Sequence, residues 1–244
     1  MIIGILDSGL GGLTTLRELI KAEISDYFIY YADNANSPYG TKTAEQIEKC
    51  VKEACRVMLK RGAEIIVLAC NTATSSVIRL LRKELPVPVF GLEPAIRPAM
   101  ERAGRKVLVL ATEFTLNGEK WRALTEDLTG EYEVKALPQL AALIDRDYPF
   151  TREISAYIER ELCGYNESVD RVVLGCTHYV LVSDLIKNVI NNAGFFDGNK
   201  GLARFLGKLF PCSAKGINVD LIFSGEKQYQ RYADILTELV QKPD

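Results

Sequence analysis

Glu64 to Thr74 reads EIIVLACNTAT, a continuous apolar run from Ile65 to Ala69 that ends on Cys70, Asn71 and Thr72. A short apolar run bounded by polar residues is the pattern of a strand buried on both faces of a parallel sheet, here handing polar groups to a loop at its carboxyl end. The pattern returns at Arg171 to Leu181, RVVLGCTHYVL, where Val172 to Gly175 lead into Cys176, Thr177 and His178. Two copies of one device predict two similar halves. Ligands of open α/β sheets bind outside the carboxyl ends of the strands, so the two cysteines are expected to face one crevice.

Working outward, Ile2 to Leu6 is a strand ending at Asp7 and Ser8, followed by a glycine turn and an amphipathic helix over Leu13 to Lys21. The turn lacks the GK[ST] ending of a P-loop and misses the GxGxxG spacing, so its backbone N–H groups suit a small anion such as a carboxylate better than a nucleotide. Tyr27 to Ala32 is a second strand, and after Asp33 the segment NANSPYGTKT reads as a loop that ends on Thr43, the N-cap of a helix through Lys60. Further helices are expected over Ser75–Glu84, from Pro94, from Thr115 through Trp121, and over Pro138–Ile144, Thr151–Leu162, Leu181–Asn191, Leu202–Phe210 and Tyr229–Gln241. Between them fall strands at Val87–Phe90, Lys106–Leu110, Glu133–Leu137 and Asn218–Phe223. Alternating strands and helices imply an α/β fold of parallel sheets flanked by helices. The echo places the boundary near residue 96, with domains 1–96 and 97–210, and the final strand and helix, within 211–244, are expected to complete the first.

The 244 residues are 48% hydrophobic with net charge −2, enough to bury a full core and without the basic surplus that nucleic acid or a membrane surface would call for. No apolar run approaches the roughly 18 residues of a membrane span, and no cationic leader opens the sequence, so the expected location is the cytoplasm. Six cysteines are too sparse for a disulfide scaffold and are expected to be thiols there. A metal is not expected: His178 is the only histidine, and there is no CxxC pair. Cys50, Cys55, Cys163 and Cys212 read as small hydrophobes. Cys70 and Cys176 stand where a buried strand meets a helix N-terminus, which favours the thiolate, and His178 two residues beyond Cys176 is a reasonable proton partner.

DSGLGG at 7–12, PYGTKT at 38–43, ACNTAT at 69–74, ATEFT at 111–115 and GCTHYVL at 175–181 resemble the motif set of glutamate racemases, in that family's order across nearly the whole chain. The resemblance implies two pseudosymmetric α/β domains with the active site in the cleft between them. It also implies a homodimer that interconverts L- and D-glutamate without cofactor or metal and supplies D-glutamate for peptidoglycan. By this likeness Cys70 and Cys176 are the two bases, Asp7 meets the substrate ammonium and orients the first thiol, and His178 assists the second. Substrate binding falls to Asp7, Ser8, Tyr39, Gly40, Asn71, Thr72, Thr112, Thr177 and His178.

Chemistry agrees, since racemisation removes a proton from one face of Cα and returns one to the other, which takes two acid/base groups on opposite sides. Without an electron sink such as pyridoxal, preorganised donors must carry the charge that develops on the α-carboxylate. The sequence departs from the family pattern at Val180, where proline is common, and at Asp145, where many relatives have a glutamate supporting the histidine-side cysteine. One methylene shorter, Asp145 is expected to reach that side of the site only through water. Glu93 carries no role beyond a loop carboxylate. Competing readings are a racemase or isomerase of the same superfamily acting on aspartate, hydantoins or maleate, a thiol redox protein or small-molecule sensor, and a protein-binding relative that inhibits gyrase.

Overall fold

The computed structural model describes residues 1–101, 106–211 and 216–242. Nine strands among them form two wholly parallel sheets. The first half runs β1 (Ile2–Asp7), α1 (Leu13–Lys21), β2 (Tyr27–Ala32), α2 (Ala44–Lys60), β3 (Ile65–Leu68), α3 (Asn71–Glu84) and β4 (Val89–Gly91), then α4 (Ile96–Met100). The second runs β5 (Val107–Ala111), α5 (Glu113–Asn117), α6 (Glu119–Thr125), β6 (Tyr132–Ala136), α7 (Leu140–Asp147), α8 (Arg152–Leu162) and β7 (Arg171–Leu174). It continues through α9 (Thr177–Leu181), α10 (Ser183–Val189), β8 (Gly194–Phe196) and α11 (Asn199–Leu209), and the chain closes with β9 (Asn218–Phe223) and α12 (Tyr229–Gln241).

The strand orders are β4-β3-β1-β2-β9 and β6-β5-β7-β8. Read from β8, the second sheet repeats the first: the opening strand of each half lies centrally, flanked by its second and third strands. The echo extends to single backbone bonds. Ala69 N donates to Leu6 O at 2.9 Å and Gly175 N to Leu110 O at 2.7 Å, while Asp33 N to Asp7 O (2.9 Å) is matched by Leu137 N to Ala111 O (3.3 Å). The last strand pairs with β2 and α12 packs on α1, so the tail returns to the first sheet; α11 also lies against α1.

One buried cluster runs through both halves, with Ile3, Ile5 and Val67 of the first sheet in the same core as Leu108, Leu110 and Val172 of the second. Apolar burial on this scale opposes independent drift of the halves. A separate cluster under α2 and α3 includes Val51, Met58 and Ile78, and a third holds Ile96 and Trp121. No helix among the described residues is long and apolar enough to cross a membrane.

Several helix boundaries differ from the sequence expectation. A capping box between Thr43 and Gln46 starts α2 as expected. Helix α3, however, begins at Asn71 rather than Ser75, so Asn71 and Thr72 form its first turn instead of a loop; burial of Asn71–Thr74 outweighs their weak helix propensity. Thr112, not Thr115, caps a short α5, because its hydroxyl accepts from Thr115 N, and extended Gly118 separates α5 from α6. Val182 leaves helical geometry and splits the expected helix over 181–191, α11 starts three residues early, and Pro94 precedes the Ala95 cap of α4. Cys212 lies outside the described residues.

Candidate active site

Cys70 is the N-cap of α3 and Cys176 the N-cap of α9, each following the third strand of its half. Both are buried, at 6% and 8% exposure, and close enough that charge on Cys176 raises the cost of ionising Cys70. Around them the predicted residues converge. Asp7, Ser8, Tyr39, Asn71, Thr72, Thr112, Thr177 and His178 are all buried. Thr72 and Thr112 share a hydrogen bond of 3.0 Å across the two halves, and the free face of Gly40 lies against Thr112. A cavity of about 260 Å³ opens between the Pro38–Thr41 segment and Thr112, Leu137 and Ala141, drawing walls from both halves. Cys55 is buried under α2 and Cys163 is exposed at the end of α8, while Cys50, on α2, neighbours Asp33 rather than the paired thiols.

Asp7 sits centrally. Its Oδ1 accepts from Gly9 N at 2.9 Å, and its Oδ2 accepts from the Thr177 hydroxyl at 3.0 Å, so the end of β1 is tied to the start of α9. Burial raises the Asp7 pKa above the ordinary carboxylate value, although His178 and these donors pull the other way. Cys70 does not have the lowered pKa expected of a helix N-terminus. Burial first, and the neighbouring Asp7 second, push its thiol upward and outweigh the N–H groups of Ala73 and Thr72 that face it.

The other side is arranged around His178. Its Nε2 meets Asp145 Oδ1 at 2.9 Å, and its Nδ1 lies 3.9 Å from Cys176 Sγ. Asp145 therefore reaches the imidazole directly, which corrects the expectation of a water bridge. Glycine explains the reach. A Cβ on Gly9 would stand 2.3 Å from Asp145 Oδ1, and one on Gly11 would stand 2.5 Å from His178 N, so only a bare backbone admits both side chains. The anion that the turn was expected to meet is thus the chain's own: Leu10 N donates to Asp145 Oδ1 at 2.9 Å. Burial alone would lower the His178 pKa, but the Asp145 charge and hydrogen bond raise it well above 6.5. Burial alone would likewise raise Asp145, yet His178, Leu10 N and Ser37 hold it below 3.8. The two form a charged pair, with the imidazolium facing Cys176.

Sequence reasoning missed two contributors. Asp33 accepts from the Tyr39 hydroxyl at 2.5 Å and from Asn36 Nδ2 at 2.9 Å, fixing the tyrosine of the PYG loop; as a strand-end carboxylate it carried a visible signal. Ser37 donates to Asp145, and nothing in its sequence context marked it. Asn71 gives its Nδ2 to Leu92 O at 3.4 Å, while its buried Oδ1 has no partner among the described residues.

Residues 3–206 match the family model described as Asp/Glu/Hydantoin racemase. The chain is 37% identical to the glutamate racemase of Halothermothrix orenii, over 98% of this chain and all of that one. Among solved structures it resembles glutamate racemase isoform RacE1 of Bacillus anthracis, with a TM-score of 0.82 at 26% identity, covering 99% of this chain and 94% of the other. It also resembles the Escherichia coli glutamate racemase solved with L-glutamate and the activator UDP-MurNAc-Ala, with a TM-score of 0.79 at 26% identity over 98% and 94% of the two chains. With whole-length identity, a matching family model and a shared fold all in agreement, the chain belongs to the Asp/Glu/Hydantoin racemase family.

Proposed function

We propose that this protein interconverts L- and D-glutamate by proton transfer at Cα between Cys70 and Cys176, and so supplies D-glutamate for peptidoglycan. The observation that carries this reading is the pair of buried thiols at equivalent strand ends of two sheets, close enough that charge on Cys176 raises the cost of ionising Cys70. One thiolate removes the α-proton and the opposite thiol returns one. Glutamate as the substrate is supported by the names of relatives similar over their whole length.

In this reading the site is short of positive charge on the Cys70 side. The raised Asp7 and Cys70 both mark a dry, anion-averse pocket, which a substrate ammonium would relieve. The unpartnered Asn71 Oδ1 is a further acceptor for that ammonium, with Ser8, Thr72, Thr112, Thr177 and the Tyr39–Gly40 backbone available to the carboxylates. Residues 1–96 with 211–244 would act as one domain and 97–210 as the other, with α11 against α1 at the junction. The homodimeric state follows the family resemblance, and the cytoplasmic location follows the expectation drawn from the sequence.

The test is a coupled assay or circular dichroism of L-glutamate incubated with protein, without pyridoxal phosphate and after dialysis against a chelator. D-glutamate should accumulate to the racemic mixture and aspartate should stay unchanged. Turnover of aspartate or a hydantoin with glutamate inert would move the protein to another member activity of its family. Activity restored only by metal would overturn the two-thiol chemistry.

A further inference from the structure

One bond that joins the two halves belongs to no motif. The Ser37 hydroxyl, on the loop after β2, donates to Asp145 Oδ2 at 2.5 Å, while Asp145 Oδ1 accepts from Leu10 N and His178 Nε2 at 2.9 Å each. Three donors from three separate segments thus hold two oxygens, and a carboxylate held at both oxygens has one orientation. Ser37 supplies the only side-chain hold on Oδ2 that the described residues offer. Asp145 also lines a cavity of about 300 Å³ with Asn34 and Tyr232, and its side chain is 20% exposed, so water stands ready to compete for Oδ2.

We propose that Ser37 is a positioning residue for proton transfer at Cys176: by fixing Asp145 Oδ2 it aims Oδ1 at His178, whose other ring nitrogen faces the Cys176 thiol. The inference rests on the reading of Cys70 and Cys176 as opposed bases. Its particular content is one-sidedness. Ser37 stands on the first half of the chain, beside the loop that carries Tyr39 and Gly40, yet it acts on the thiol of the second half. No hydrogen bond links its side chain to the Cys70 side.

The test uses β-chloroalanine of each hand, from which a base takes the α-proton while chloride leaves. The resulting aminoacrylate adds water and releases pyruvate and ammonia, so pyruvate reports abstraction by one thiol alone. In a Cys70→Ser background, where only Cys176 abstracts, Ser37→Ala should slow pyruvate formation about tenfold, the effect of losing one hydrogen bond to a charged group. In a Cys176→Ser background the same change should stay within about twofold. Ser37→Thr should restore the rate, and Ser37→Ala should cost nothing further once Asp145→Asn is present. Equal losses in both backgrounds, no loss in either, or losses that add to those of Asp145→Asn would overturn the assignment. If both cysteine variants eliminate from the same enantiomer, the two-base reading itself falls and takes the Ser37 role with it; opposite preferences with an unselective Ser37→Ala loss overturn the Ser37 role only.

Discussion

At the Cys70 end of the site the neighbouring strands finish on carboxylates: Asp7 closes β1 and Asp33 follows β2. At the matching register of the second sheet stand Ala111 and Leu137, joined by the same backbone hydrogen bond. Polar support for Cys176 comes instead from helices, His178 on α9 and Asp145 on α7. A single backbone plan therefore surrounds its two thiols with different charged side chains. Cys70 sits in a pocket whose burial and nearby carboxylate favour the neutral thiol, whereas Cys176 faces an imidazolium prepared by a buried carboxylate. Duplication fixes where the thiols stand, and the side chains at equivalent positions decide which charges each one meets.

The largest effect that tests this comparison is loss of either thiol. Cys70→Ser and Cys176→Ser should each lower racemisation by about 10³-fold, because a hydroxyl is a far weaker acid and one face is then without a competent group. The enantiomers of an amino acid have equal free energy in solution, so kcat/KM for racemisation must fall equally in both directions whichever thiol is lost. Only reactions needing a single abstraction separate the sides. Each variant should still eliminate chloride from β-chloroalanine of one hand, and the two should choose opposite hands. A shared preference would dissolve the comparison.

The next effect tests the asymmetry itself. His178→Asn should slow the elimination that depends on Cys176 by about 10²-fold and leave that of Cys70 nearly intact, since the imidazole lies 3.9 Å from one thiol while the charges acting on the other are those of Asp7 and Cys176. Measured in the single-cysteine backgrounds, equal losses would mean that His178 supports the whole cleft rather than one face.

The strands were legible because an apolar run of four to six residues ending on polar groups has few other uses in a parallel sheet. The placing of Asp7, Cys70 and Cys176 at the ends of buried strands was legible in the same pattern. What the sequence hides is depth and distance. The helix-terminus argument for an acidic Cys70 considered the N–H groups of α3 but not the burial and Asp7 charge that outweigh them. Asp145 seemed too short because its reach depends on how far the β1–α1 turn lets the second half approach, which Gly9 and Gly11 decide only once their partners are known. Ser37 gave no signal at all: a serine before proline in a turn-rich loop is ordinary, and its partner is distant in sequence.

The smallest effect concerns stability, and its pH dependence separates the charged pair from mere packing. Asp145 has a folded pKa below 3.8, so it stabilises the fold above its unfolded value and loses that contribution as pH falls through the depressed one. His178 has a folded pKa well above 6.5, so its contribution is complete below its unfolded value and fades as pH rises through the raised one. Together they define a window, from about pH 4 to about pH 6.5, in which both are charged in the folded protein and the pair contributes fully. Asp7 runs the other way: its raised pKa withdraws stability as pH climbs past 3.8, but it is present in wild type and variant alike and largely cancels in a difference. Asp145→Asn should therefore lower the melting temperature most within that window, by about 5 °C for a lost charged hydrogen bond of about 2 kcal/mol in a protein of this length. The gap to wild type should narrow toward both acid and alkaline pH. A gap that stays constant across the range would make Asp145 a packing residue and leave the Cys176 side without its prepared charge, whereas a gap that closes at both ends ties the imidazolium facing Cys176 to the carboxylate that holds it.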